Sequence, residues 1–237
     1  MSKTLKQQNR IPVLLFALAS TCVIAVMLAG WDNFTAFVKE ASSGNWSLLG
    51  RSLGVPAVVG LIAGIASWVV PRKLKETLVF WRVGVRCRPS SRAFSEIAPA
   101  DPRIDIDRLR GRIGNLPVSP SEQSSRWYSI YRKHQKEPAV EDANVAYLLY
   151  RDMASLVPIV GLAAIIVGLW VALPARPNWI GVIVILALEF LLTSVAARNA
   201  GIRLVANVLA IEASEPNKGI PTTPVAPRRR NRKAGSP

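Results

Sequence analysis

Two cysteines, one histidine and 15 acidic residues against 30 basic ones are what this 237-residue chain has little of, and each scarcity excludes something. Cys22 lies inside an apolar run and Cys87 in a polar block, with no ligand spacing and at different depths, which excludes a disulfide framework and a zinc site. The single His134 has no acid or nucleophile at a meaningful spacing, so a histidine-based catalytic centre is not expected and the residue is assigned to a helix face. No phosphate-cradling glycine loop, nucleophile elbow or zinc-binding helix occurs, and neither an enzymatic activity nor a cofactor is implied. The shortage of acids leaves a net charge of +15 and a pI near 10.7. In a soluble protein that balance points to a nucleic acid or another polyanion. In a membrane protein it has a simpler origin, because loops kept inside collect Lys and Arg and anionic lipid headgroups attract them.

The second origin is preferred because the apolar residues, half of the chain, are clustered rather than periodic. Four uncharged or nearly uncharged runs stand out: 11–30, 52–70, 156–173 and 180–197. At a rise of about 1.5 Å per residue each approaches the roughly 30 Å of a bilayer's hydrocarbon core. The first follows Lys3, Lys6 and Arg10, a start shared with secretory signals, and an Ala-Gly at its end keeps cleavage open as an alternative to a retained span. Gly60 and Gly64 form a G-x-x-x-G in the second run, and Gly161, Ala164 and Gly168 a small-residue stripe in the third. Both patterns suit close helix approach, within one bundle or between copies of the chain.

Between the pairs of runs lies a polar block, 71–155, holding 16 of the 30 Lys and Arg residues, the tyrosines and the histidine. Pro71 followed by Arg72, Lys73 and Lys75 stops the second span, and an interfacial helix to about Arg82 with Phe80 and Trp81 at headgroup level is expected. From 83 to 103 the pattern dissolves, and periodicity does not decide between an ordered and a flexible loop. Asp105 to Ile113 spells two helical turns closed by Gly114. Ser119, Pro120 and Glu122 form a capping box, behind which Trp127, Ile130, Tyr131 and His134 recur at helical steps. Pro138 restarts a helix predicted to run straight into the third span.

Trp127 and Tyr131, with Arg86, Arg88 and Arg92, are the candidate interaction face. Stacking of nucleic-acid bases on the aromatics is disfavoured because they share the apolar rather than the arginine-rich side. Cys87 between Arg86 and Arg88 has electropositive surroundings, yet Arg92 stands one residue short of the phosphatase-loop spacing. Asp101, Asp105 and Asp107 are interleaved with arginines, which predicts salt bridges rather than a metal site.

Assigning the amino end, the block and the carboxyl tail to the cytoplasm leaves 3 of 30 basic residues outside, as positive-inside topology requires. The expectation is an all-α, four-span membrane protein: two hairpins, 1–70 and 156–197, a cytoplasmic helical module over 71–155, and a cytoplasmic helix with a basic tail over 198–237. A bacterial inner membrane is the expected home. The leading function is a non-enzymatic scaffold whose module docks a protein partner or a second copy of the chain. The alternative is a small channel, transporter component or pore-forming effector built on Glu189, the one ionisable residue within a span; in a purely structural role Glu189 is instead expected to be protonated and bonded to Thr193, Ser67 or a backbone carbonyl.

Overall fold

Long uncharged runs can lie in hydrocarbon only if each backbone N–H and C=O is satisfied within the chain, which a helix does. The computed structural model describes residues 5–29, 35, 39, 42, 43, 46–81, 88–170 and 179–215, and every regular element among them is helical. Most of the stretch 31–45 that follows the first run, the tight turn near 174–178, Arg86, Cys87 and the basic tail fall outside these residues.

After one turn at Leu5–Gln8, helix α1 spans Arg10–Ala29 and α2 spans Trp46–Val69, starting earlier than Ser52. Pro71, with ψ near 141°, stops α2, and α3 restarts as Arg72–Phe80 at 103° to it. It ends at Trp81, whose left-handed φ of 52° lets its N–H reach the Thr77 carbonyl.

The stretch that periodicity left undecided is helical but uneven: a 3₁₀ turn at Pro89–Arg92, a π turn at Ala93–Ile97 and a last turn at Ala98–Ala100. Gln123 explains its order. Its Oε1 accepts from the Phe94 and Ser95 amides at 3.0 and 3.2 Å, the groups that a change of helical pitch leaves without local partners.

Helix α4, Ile106–Ile113, is capped by Asp105, which accepts from Asp107 and Arg108 N–H, and closed by Gly114 at φ 77°. Helix α5, Pro120–His134, is capped by Ser119 accepting from the Glu122 amide. Helix α6 runs unbroken from Pro138 to Trp170 and α7 from Trp179 to Ser214.

These last two are too long for a bilayer. Their 33 and 36 residues extend to about 50 Å and 54 Å. They run antiparallel: from Gly161 through Tyr147 to Ala139 on α6, the facing residues on α7 rise from Leu186 through Gly201 to Asn207.

One end of the pair joins α1 and α2 in a core containing Val13, Ala17, Ala63, Leu156, Val160 and Val182. The other end forms a second core with the polar block, including Val79, Phe94, Leu109, Trp127, Val140 and Leu209. The module expected over 71–155 therefore shares its interior with residues 197–213 of α7, rather than being followed by a separate terminal helix.

Around the first core, Leu15, Leu162, Ile183 and Leu192 point outward and are exposed. Three of the described helices are long and apolar enough to cross a membrane, or up to four if α2 and α3 count as one bent span. The chain is an all-helical membrane protein.

Candidate functional site

The two cores leave a space between them. A cavity of about 570 Å³ lies where α1 begins, α2 ends and α3 turns aside, walled on the far side by α5, α6 and α7. Trp127 and Tyr131 reach it from the module, stacked with ring centres 5.3 Å apart, and Tyr128 lies 6.0 Å from Tyr131. The Tyr131 hydroxyl accepts from Asn144 Nδ2 at 3.0 Å, and burial pushes its phenol pKa up. Trp127 is only 9 % exposed, and its indole N–H has no acceptor among the described residues.

The charges around the cavity are organised by two carboxylates, the buried Glu76 and the half-buried Asp152. Glu76, 3 % exposed, accepts from Arg72 Nε at 2.6 Å and Arg88 Nε at 2.9 Å. Asp152 accepts from Lys75 Nζ at 3.0 Å and Arg151 at 2.9 Å, with Lys75 itself 4 % exposed. Each carboxylate compensates one of its two cations, so each trio keeps a unit positive charge. Arg10, its guanidinium 5.2 Å from the Trp68 ring centre, adds another cation to the wall. Of these cations Lys75 and Arg151 are buried, which is costly unless they stay paired.

The residues singled out from sequence do not form one site. Trp127, Tyr131 and Arg88 meet at the cavity, where the aromatics face inward rather than forming an outer docking face. Arg92 instead pairs with Glu96 at 2.7 Å, and Arg86 lies outside the described residues. Gly60 and Gly64 sit against α1, where an added Cβ would approach Thr21 Oγ1 to 2.7 Å and Leu14 Cδ2 to 2.6 Å. Gly161 faces Leu186 of α7, and the surroundings of Gly168 lie outside the described side chains.

Glu189 does not line the cavity. Its Oε2 accepts from Ser20 Oγ on α1 at 2.6 Å. Thr193 binds the Glu189 backbone carbonyl and Ser67 the Gly64 carbonyl, so neither is the carboxylate partner expected from sequence. The reason is helix rotation: Thr193 lies one turn along the same helix, where its hydroxyl returns to the preceding backbone.

A second polar cluster was invisible in the sequence. His134 Nε2 lies 2.6 Å from Glu212 Oε2, and its Nδ1 3.8 Å from Glu215. Three such ligands within 4.8 Å have metal-site spacing. Their oxygens are already taken by cations: Arg112 contacts Glu212 at 3.2 Å and Glu215 at 2.6 Å, and Lys133 contacts them at 2.9 and 2.6 Å. Hydrogen bonding from Lys133 holds the Glu215 carboxyl below the usual range. This arrangement ties the end of α7 to α4 and α5. The aspartates interleaved with arginines do pair locally, Asp101 with Arg103 at 2.7 Å and Asp105 with Arg108 at 3.2 Å, but Arg112 leaves that set for Glu212.

Compared with known proteins, the chain matches no family model, no curated protein and no solved structure.

Proposed function

We propose that this chain is a non-enzymatic scaffold of a bacterial inner membrane, with four spans in two hairpins and both termini and the helical module in the cytoplasm. In that arrangement the module docks a protein partner. The observation that carries the reading is the continuity of α6, which holds Pro158 within it, and of α7: each passes from the apolar core into the module's core as one helix. A module fused in this way has a fixed position relative to the bilayer, which suits holding a partner at the surface. The positive-inside count supports the orientation. The Ser20–Glu189 bond and the absence of Glu189 from the cavity wall favour this reading over ion handling.

Photo-crosslinking in cells tests the proposal. A probe replacing Val118, exposed on the module at 85 %, is expected to give discrete protein adducts. Probes at Ile183 and Leu192 are expected to give lipid adducts only. No defined protein adduct from the module, together with pH-dependent cation flux in vesicles that Glu189→Gln abolishes, would replace the scaffold with a transport function. Thiol-labelling of single cysteines at Lys39 and Arg176 from outside, with none at Arg110, is the expected topology result.

A further inference from the structure

We infer that the cavity between the spans and the module is a specific site for one anionic phospholipid, which holds the phosphate among its arginines and the glycerol end against its apolar wall.

The charge of the wall is the first reason. Five cations line it, Arg10, Arg72, Lys75, Arg88 and Arg151, against two carboxylates, Glu76 and Asp152. Pairing leaves three positive charges facing one space, and a phosphodiester anion is the complement that planar guanidinium groups hold best. The aromatic lining would otherwise suit a quaternary ammonium, but the same excess charge repels a cation.

The second reason is the aromatic part of the wall, where the stacked Trp127 and Tyr131 rings offer the glycerol region of a lipid a flat surface to lie against.

Position and size select a lipid over a soluble phosphate ester. The cavity lies at the level where α1 begins, α2 ends and α3 turns through 103°, the boundary between the apolar belt and the polar module. Val13, Leu204 and Val205 form its apolar side. A volume of about 570 Å³ falls within the roughly 300–1,000 Å³ of small-molecule sites. It fits a headgroup with the glycerol region, the acyl chains remaining in the bilayer. The inference rests on the membrane reading above only for the direction of entry; it requires neither a docked partner nor a particular topology.

Native mass spectrometry of the full chain in detergent is the test, using short-chain phosphatidylglycerol as probe, phosphatidylcholine as the zwitterionic control and glycerol 3-phosphate as the soluble one. The expected result is one retained phosphatidylglycerol per chain, weakened by about tenfold in Arg88→Gln, which removes one guanidinium from the wall but leaves Glu76 its Arg72 partner. Arg10→Gln changes an exposed side chain at the rim and is expected to weaken binding while the protein stays folded. Equal retention of phosphatidylcholine, or phosphatidylglycerol binding that both variants leave unchanged, overturns the inference. Tighter binding of glycerol 3-phosphate keeps the phosphate site but overturns its assignment to a lipid. Because binding is read in detergent and docking by crosslinking in cells, failure of one leaves the other standing.

Discussion

Ser20 on α1 donates a 2.6 Å hydrogen bond to Glu189 on α7, 169 residues away, and so joins the first and last apolar helices by their polar groups. In hydrocarbon neither group has water as an alternative partner, which makes the pair structural cement between helices. Glu189→Gln keeps an acceptor for Ser20 and is expected to leave folding nearly unchanged. Ser20→Ala combined with Glu189→Leu in a double-mutant cycle is expected to show a coupling of about 0.6 kcal/mol. Reversible unfolding in mixed micelles measures it, and independent effects of the two substitutions would mean that the bond carries no stability.

The approach of α1 and α2 depends on Gly60. Its added Cβ would meet the Ala17 carbonyl oxygen and Leu18 Cα at 3.2 Å, backbone atoms that move only with the helix, besides Thr21 Oγ1. Gly60→Ala is therefore expected to cost about 1–3 kcal/mol. Gly111→Ala on α4, where nothing lies within 4 Å, is the control and is expected to be neutral or stabilising. Equal thermal stability of the two variants would show that the helices yield at this contact.

Gln123 organises the irregular segment that precedes α4. Gln123→Leu fills similar space but leaves the Phe94 and Ser95 amides without their acceptor. The expected loss is about 2–4 kcal/mol, against about 1 kcal/mol for removing the α5 cap in Ser119→Ala. Hydrogen exchange of residues 93–97 distinguishes them: only the Gln123 variant is expected to lose protection there.

The tie between Lys133 and Glu215 carries a pH dependence. The folded carboxyl of Glu215 is depressed by the Lys133 hydrogen bond, so its contribution is present above the unfolded carboxylate pKa, about 4.3. It is lost as pH falls below that value through the lower folded one. Proteolytic sensitivity at the end of α7 is expected to rise on acidification in the native chain. In Lys133→Met the rise is expected to be shallower, because the depression has lost its main cause. An identical acid profile in both proteins would remove Lys133 from this role.

What the amino-acid order determined by itself was everything that acts within a few residues. Ser119, Asp105 and Gly114 bound their helices because cap bonds close within one turn, Pro71 ends α2 because its ring cannot continue it, and uncharged runs of this length leave helices for a membrane. The long α6 was legible from the apolar spacing that continues beyond Pro138 into the third run, and the helix holds Pro158 within it. Only the tertiary structure decided which distant polar groups meet. Ser20 with Glu189, His134 with Glu212 and Lys75 with Asp152 are 169, 78 and 77 residues apart. Their meeting depends on the rotation and depth of packed helices, and a single sequence carries no periodic signal for either. The cavity belongs to the same class: its walls come from six helices, and its excess charge exists only because packing brings five cations together against two carboxylates.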